Sequence, residues 1–307
     1  MKTDSSLNRG DLYTRVTNEI IKAIESGVGE YRMPWHQNAG RGLPRNAATK
    51  NFYHGINTLA LWSASHLRGY TSPYWATYRQ WSNLGAHVRK GEKASTIIFF
   101  KKREPKAEEE KADDNASQPR LVIQGSVVFN ADQVDGWKKA EAPLEDRTQR
   151  LEAADMFISS VGATVRYGGD IASYSKAFDR INMPESRRFI ETETSSATES
   201  FYSVLLHEHV HWSGHQKRLS RDLSGRFGTS AYAMEELVAE LGAAFLCADL
   251  GISVAPRMDH AVYIRTWLVV LRQEKAAIIT ASSAAMAATR YLSELALKNI
   301  EGRKAMS

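Results

Sequence analysis

The fold of this 307-residue chain is decided by the stretch Phe201-Tyr-Ser-Val-Leu-Leu-His207-Glu208-His-Val-His211-Trp-Ser-Gly214. Its apolar residues recur at helical spacing, which is typical of a buried helix. Ser196 and, three residues later, Glu199 have the spacing of a capping box, which predicts where the helix begins. Gly214 is a common residue at a helix end. The sequence therefore predicts one helix between Ser196 and Gly214.

This helix carries the motif HExxH, whose spacing has a chemical reason. Residues four apart share a helix face, so His207 and His211 can direct two imidazoles to one point. Zinc binds neutral imidazole nitrogens in this way. Glu208 is next to the first ligand and can hold and deprotonate a water at the metal. We therefore predict His207 and His211 as metal ligands and Glu208 as the catalytic base.

A catalytic zinc site needs a third protein ligand. His215 is near the motif, but the metzincin pattern would require a histidine where this chain has Lys217. The next helically patterned segment carries Glu236 and Glu240, four apart, so that both can face the metal. This resembles the gluzincin arrangement, HExxH followed by ExxxD, with Glu240 in place of the Asp. We predict Glu236 as the ligand and Glu240 as the acceptor of a hydrogen bond from a ligand histidine. Glu235 is the alternative ligand and is otherwise expected to be a solvated acid.

Composition describes a globular chain without a membrane segment. Hydrophobic residues make up 43% of it, and it has seven Trp, which excludes a disordered chain. No apolar run approaches the roughly 18 residues of a membrane helix, and no signal-peptide core follows the first residues. The single cysteine, Cys247, allows no internal disulfide. We therefore expect a cytoplasmic protein that does not bind a membrane.

Charge divides the chain into two parts. Residues 1–140 contain 21 Lys and Arg against 14 Asp and Glu, whereas residues 141–307 contain 19 against 21. The length favours two domains, and we predict the boundary near residue 140. The basic first part is where a polyanion would bind. The divalent metal, expected to be zinc with manganese or cobalt as alternatives, belongs to the second part.

The basic part also contains many aromatic residues between its cations. Single-stranded nucleic acid stacks its bases on flat rings while cations follow the phosphates, without sequence preference. For any single tryptophan, a position in the hydrophobic core is the favoured alternative. The candidate DNA contacts are Arg32, Trp35, Arg45, Tyr53, Trp75, Tyr78, Arg79, Trp81, Arg89, Lys90 and Lys93.

The remaining patterns predict an α+β fold. A mixed α/β amino-terminal domain is followed by a largely helical domain with a small sheet. Strands at residues 95–100 and 121–129 are expected to pair across a charged loop, residues 101–119. Short strands at residues 167–178 and 188–190 are expected to shield the metal helix. The other predicted helices are residues 11–25, 148–161, 259–275 and 276–299.

The chain resembles the ArdC-type antirestriction proteins of conjugative plasmids, whose first domain is related to TraC-type plasmid primases. The resemblance rests on phrases from both parts of the chain. They include Tyr53-His-Gly-Ile56-Asn57, Trp75-Ala-Thr77-Tyr78-Arg-Gln80, Val88-Arg89-Lys90-Gly91-Glu92-Lys93, the HExxH segment, and Glu235-Glu236-Leu-Val-Ala-Glu240-Leu-Gly-Ala. It implies an amino-terminal domain that binds single-stranded DNA and a zincin-like metallopeptidase domain. It also implies that His207, His211 and Glu236 bind the metal, with Glu208 as the base.

Three hypotheses follow. In the first, the protein binds single-stranded DNA, protects incoming plasmid DNA during conjugation, and carries a competent zinc metallopeptidase domain of unknown protein substrate. In the second, it is a true protease that its basic domain only locates on DNA. In the third, the metal is structural and the protein is a binding module. A base glutamate beside the metal ligands supports a competent site over a structural metal. Of the three hypotheses we prefer the first.

Overall fold

The computed structural model describes residues 9–30, 33–39, 41–103, 120–138, 147–192, 195–225, 229–254 and 261–305. Within these ranges helices predominate, and the strands form three small sheets. The α+β class expected from the sequence is therefore confirmed. None of the helices in the described ranges combines the length and the apolar character needed to cross a bilayer.

In the first part of the chain, helices pack against a four-stranded sheet. Leu12, Val16, Ile20 and Ile24 recur every four residues on the first helix and are buried, so one face of that helix packs on the core. The helices are α1 Arg9–Gly27, α2 Pro34–Ala39, α3 Ile56–Arg68 and α4 Tyr78–Asn83. The strands are β1 Arg45–Asn46, β2 Tyr74–Ala76, β3 His87–Val88, β4 Ser95–Arg103, β5 Arg120–Asn130 and β6 Val134–Asp135.

The strand order of the larger sheet is β1-β2-β5-β4, and β3 pairs with β6 separately. β4 and β5 are antiparallel from Ser95 opposite Val128 to Arg103 opposite Arg120, which confirms the predicted pairing. The strand extends three residues into the segment predicted as a charged loop. The rest of that loop, residues 104–119, lies outside the described residues.

The second part of the chain is mainly helical. Its helices are α5 Arg147–Val161, α6 Ala197–Ser213, α7 Ser230–Leu250, α8 Ala261–Gln273 and α9 Ala277–Ala305. Its strands, β7 Val165–Tyr167, β8 Ser173–Ser175 and β9 Arg180–Met183, form a sheet of order β7-β9-β8. The predicted strand at residues 188–190 is wrong, because Arg188 ends a short 3₁₀ turn, Ser186–Arg188.

The two parts of the chain share one hydrophobic core. The rings of Trp62 on α3 and Phe245 on α7 are 5.9 Å apart, and those of Trp35 and Trp267 are 6.5 Å apart. The Thr17 hydroxyl donates a 2.7 Å hydrogen bond to the carbonyl of Lys275. The amino-terminal helices therefore pack directly against the helices of the second part. The predicted boundary near residue 140 lies outside the described residues and stays a prediction.

Candidate metal centre

Helix α6 holds the HExxH motif as the sequence predicts. Ser196 accepts a hydrogen bond from the backbone N–H of Glu199, and Glu199 accepts one from the backbone N–H of Ser196, so the capping box is formed. His207 and Glu208 are 2% and 3% exposed. Gly214 follows the helix, but not in the left-handed conformation that favours glycine. A side chain there would lie 2.8 Å from the guanidinium of Arg221, so the glycine allows that arginine to approach.

Helix α7 brings Glu236 to the two histidines. Nε2 of His207 lies 3.1 Å from Nε2 of His211 and 3.3 Å from Oε2 of Glu236. Nε2 of His211 lies 3.5 Å from Oε1 of Glu236. The helices approach closely where Gly242 faces Val210, since a side chain on that glycine would meet the valine at 2.8 Å. Among the described residues, these three ligands form the group that can hold a metal ion.

The donor atoms fit a divalent transition metal. Ligands at about 2.0–2.1 Å from one ion are about 3.4 Å apart at tetrahedral angles and about 3 Å apart at octahedral angles. The observed separations of 3.1–3.5 Å span both geometries. Two imidazoles and one carboxylate are a ligand set that catalytic metal sites use.

Glu235 has a role that the sequence did not predict. Its Oε1 accepts a 3.2 Å hydrogen bond from Nδ1 of His211, and its side chain is 12% exposed. Arg221 donates to both oxygens of Glu235, at 2.8 and 3.1 Å. The expectation of a solvated acid is therefore wrong. Glu235 orients the ring of His211 from the side away from Glu236, and Arg221 holds Glu235 in place.

Glu240 lies behind the other ligand histidine. Its Oε2 is 3.7 Å from Nδ1 of His207, which is longer than a hydrogen bond, so the prediction that this ligand histidine donates to Glu240 is wrong. Its Oε1 accepts hydrogen bonds from Nε1 of Trp35 at 3.0 Å and from Nε2 of His36 at 2.7 Å. Both donors are on α2, so the amino-terminal part of the chain contacts the surroundings of the metal ligands.

The acids give the centre a strong preference for positive charge. Burial opposes the charge on His211, but hydrogen bonds to Glu235 and Glu236 raise the pKa of His211 to about 10. Burial also opposes the charge on Glu236, yet its hydrogen bonds with His207 and His211 hold its pKa well below the usual range. A proton on His211 thus occupies part of the position that a metal cation would take.

A cavity of about 330 Å³ opens next to the ligands. Glu208 lines it, together with Tyr232 and Tyr263 and residues of β8. Burial and the charge of Glu236 raise the pKa of Tyr232, so its phenol stays protonated. No motif in the sequence marks this tyrosine, although it stands four residues before Glu236 and so shares its helix face.

The other histidines near the motif take no part in this group. His209 points away from it, and Nδ1 of its buried ring lies 2.7 Å from the carbonyl of Leu205. His215 lines a separate cavity with Asp179 and Lys217. The group of donors therefore supports Glu236, rather than His215, as the third ligand.

Four of the predicted DNA contacts lie in the core. Trp35, Trp75 and Trp81 are at most 1% exposed, and Tyr53 is 9% exposed. Trp81 donates a 3.0 Å hydrogen bond to the carbonyl of Phe129. The prediction that these rings stack on bases is therefore wrong for this structure, because none of them offers a ring face to solvent. The alternative, a core position, is what the structure has.

Other predicted contacts are at the surface. Tyr78 is 61% exposed, and Arg79, Lys90 and Lys93 are exposed as well. Arg45 is half-buried, and its guanidinium lies 5.0 Å above the exposed ring of Phe52, which sequence analysis did not single out.

Two of the predicted cations give less support to a DNA-binding surface. Arg89 is paired with Glu92 at 2.9 Å and Asp135 at 3.4 Å, so its charge is partly compensated. Arg32 lies outside the described residues.

Two family models match the chain. Residues 10–129 match the N-terminal domain of anti-restriction factor ArdC, and residues 152–284 match a zincin-like metallopeptidase domain. The protein y4eC of Sinorhizobium fredii is 45% identical over 279 residues, which is 90% of this chain and 89% of that protein. DNA primase TraC of Escherichia coli is 32% identical over 292 residues, but these cover only 26% of the primase.

Solved structures of a plasmid protein match over nearly the whole chain. The metal-free crystal structure of the antirestriction protein ArdC from plasmid R388 has a TM-score of 0.74 and 34% identity. The match covers 94% of this chain and 98% of that one. The Mn(II)-bound structure of the same protein has a TM-score of 0.73 at the same identity, with 93% and 98% covered.

Proposed function

The chain belongs to the ArdC family of antirestriction proteins, and on this premise we propose that it binds single-stranded DNA and carries a metal-dependent peptidase site. DNA binding, without sequence preference, belongs to residues 1–140. Through it the protein shields incoming plasmid DNA in the bacterial cytoplasm during conjugation. The observation that carries the peptidase part is the group of His207, His211 and Glu236 beside a cavity that Glu208 lines.

The site is of the catalytic rather than the structural type. Structural zinc sites are closed by four protein ligands, whereas catalytic sites keep a position open. Among the described residues the metal group has three ligands, and it faces a cavity. These features favour a peptidase over a binding module with a structural metal. We propose zinc as the metal, and the Mn(II)-bound relative supports a divalent ion in general.

Each residue at the site has a proposed task. When bound, the metal would polarise a water molecule and the carbonyl of the substrate. Glu208 would take the proton of the water and pass it to the leaving amine. The phenol of Tyr232, which stays protonated beside Glu236, would donate a hydrogen bond to the oxygen that gains charge. β8 is at the edge of its sheet in the described part and lines the cavity, so an extended peptide can pair with it.

The test of the peptidase part is Glu208→Gln in the full-length protein. We expect about one divalent metal per chain in both forms, and hydrolysis of an unstructured protein such as casein to fall at least about 100-fold in the variant. Metal content and DNA binding, measured on the same samples, are the controls. Equal hydrolysis in both forms would remove Glu208 from the mechanism, and a wild-type protein without metal would remove the peptidase proposal.

DNA binding is proposed for the exposed rings and cations near β1 and α4. Tyr78 and Phe52 supply the rings, while Arg79 and Arg45 supply the charge. A hydrogen bond of 3.3 Å between Asn46 on β1 and Gln80 on α4 links the two segments. This surface replaces the buried tryptophans in the proposal.

The test of this surface is binding of a fluorescent oligothymidine at several salt concentrations. Tyr78→Ala should weaken binding by about 1–3 kcal/mol through lost stacking. Arg79→Ala should lower the slope of log affinity against log salt by about 0.7. Arg290→Ala, an exposed cation on α9 that pairs with Glu294 at 2.7 Å, is the matched control. If the control loses as much affinity as Tyr78→Ala and Arg79→Ala do, binding is not located at this surface.

A further inference from the structure

We propose that Trp35 and His36 are positioning residues for the metal ligand His207 and act through Glu240. The amino-terminal part of the chain would thereby set the metal affinity of a centre whose ligands all lie in the carboxy-terminal part. This inference rests on the proposed metal site.

The contacts converge on one carboxylate. Nε1 of Trp35 and Nε2 of His36 both donate to Oε1 of Glu240, at 3.0 and 2.7 Å. The other oxygen, Oε2, lies 3.7 Å from the outer nitrogen of His207, whose inner nitrogen faces Glu236 and His211. At this distance the carboxylate acts on His207 through its negative charge, which favours a cation at the inner nitrogen of the ring.

The hydrogen bonds define the protonation of His36. The backbone N–H of Met33 donates to Nδ1 of His36 at 3.1 Å, so that nitrogen carries no proton. A neutral ring then has its proton on Nε2, the nitrogen that faces Glu240. His36 is therefore a donor to the carboxylate without contributing charge of its own.

Burial makes these donors important for the position of Glu240. Its side chain is 4% exposed, and that of His36 is 2% exposed. A buried carboxylate without hydrogen-bond donors is costly. If one donor is lost, we therefore expect the side chain of Glu240 to rotate towards other hydrogen-bond donors, which moves its Oε2 away from His207.

Helix α2 is held firmly enough to serve as a support. The side-chain amide of Asn38 donates to the carbonyls of Pro34 and Trp62, at 2.7 and 3.2 Å, which fixes α2 to α3. Asn57 on α3 in turn bonds both the N–H and the carbonyl of Ile98 on β4, each at 2.8 Å. Glu240 is thus linked through α2 and α3 to the sheet of the amino-terminal part.

The test uses four variants of the full-length protein and the dissociation constant of Mn(II), measured from the EPR signal of the free ion. Trp35→Phe keeps an aromatic ring, although a smaller one, and removes one donor, and His36→Leu removes the other. His36→Gln places an amide donor near the same point. Trp267→Phe is the matched control, because it removes an indole N–H bond to the carbonyl of Ala233 in the same core and leaves both Trp35 and His36 as donors to Glu240.

We expect Trp35→Phe and His36→Leu to weaken Mn(II) binding about 10- to 100-fold. His36→Gln should bind within about threefold of wild type, and so should Trp267→Phe. The bound-ion EPR spectrum should broaden in the first two variants only, which a general loss of stability would not produce. Melting temperatures of the metal-free proteins show whether each variant is folded.

Three results would overturn the inference. Wild-type affinity in both Trp35→Phe and His36→Leu would show that Glu240 does not need these donors, while the proposed metal site would stand. Equal weakening in Trp267→Phe would assign the effect to the core in general. A wild-type protein that binds no metal would instead refute the proposed function itself. If His36→Leu does not fold, Trp35→Phe decides.

Discussion

Two glutamates stand behind the two ligand histidines, and they are held in different ways. Glu235 bonds the outer nitrogen of His211 at 3.2 Å, and Glu240 lies 3.7 Å from that of His207. A guanidinium, that of Arg221, holds Glu235 from within the carboxy-terminal part. Two neutral donors, Trp35 and His36, hold Glu240 from the amino-terminal part.

This difference separates two functions of a supporting acid. We call each glutamate, together with the groups that hold it, an arm of the centre. The charge of Glu235 is compensated by the cation of Arg221, so the Glu235 arm depends on a buried ion pair within the carboxy-terminal part. In the Glu240 arm the carboxylate is bound by neutral groups, so more of its negative charge remains to favour a metal at His207. We therefore expect the Glu235 arm to support stability together with metal binding. The Glu240 arm should mainly support metal binding and should depend on the position of α2.

The largest expected effect is that of Glu235→Gln. The substitution leaves the side chain of Arg221, which is 12% exposed, without its carboxylate partner. Breaking a buried pair costs about 3–5 kcal/mol, so the free energy of unfolding of the metal-free protein should fall by about 3 kcal/mol. Metal affinity should also fall about 10- to 100-fold. Urea denaturation and metal titration of the same variant measure both quantities.

The control for this variant is Arg221→Lys. A lysine keeps the positive charge but lacks the planar pair of nitrogens with which Arg221 bonds both oxygens of Glu235. We expect Arg221→Lys to lose less stability than Glu235→Gln. Full stability in Glu235→Gln would mean that the ion pair does not anchor this arm.

Glu240→Gln should have a smaller effect, confined to the metal. The amide oxygen still accepts hydrogen bonds from Trp35 and His36, so the free energy of unfolding should change by less than about 1 kcal/mol. The lost charge should weaken metal binding about 10-fold or more. The same two measurements apply. Equal losses of stability in Glu240→Gln and Glu235→Gln would erase the proposed difference between the arms.

The sequence predicts the residues of this centre that face the proposed metal. It does not predict the residues that hold the supporting glutamates. His207, Glu208 and His211 follow from a spacing on one helix, and Glu236 follows from the next apolar helix, because helical periodicity fixes which residues share a face. The same periodicity places Glu240 towards the metal. It carries no information on Arg221 or His36, whose contacts depend on a loop and on a helix about 200 residues away.

The DNA-binding prediction shows a second limit of the sequence. Composition indicates that rings and cations occur together, but it does not say which face of a strand or helix carries them. Trp75 on β2 faces the core, whereas Tyr78, three residues later, faces solvent. Large aromatic rings bury so much apolar area that a core position is the stronger expectation for each tryptophan.

The smallest expected signal is the release of protons when the metal binds. In the metal-free protein the pKa of His211 is raised to about 10 by Glu235 and Glu236, which outweigh burial. At pH 8 this histidine is therefore protonated, and ligation must release about one proton from it. Metal affinity should accordingly rise about tenfold per pH unit below pH 10.

Metal affinity rises with pH, whereas the contribution of His211 to the stability of the metal-free protein falls with pH. Because the folded pKa of His211 lies above its usual value, the stability that it contributes to the metal-free protein is complete at acid pH. This contribution is lost as the pH rises towards about 10.

The release of protons on metal binding is measured by calorimetric titration at pH 8 in buffers of different ionisation enthalpy, which gives the number of protons released. Glu235→Gln removes one of the two acids that hold the proton, so it should release fewer protons than wild type, whereas Glu240→Gln should release the same number. Equal numbers in all three proteins would show that the two arms do not differ in their influence on His211.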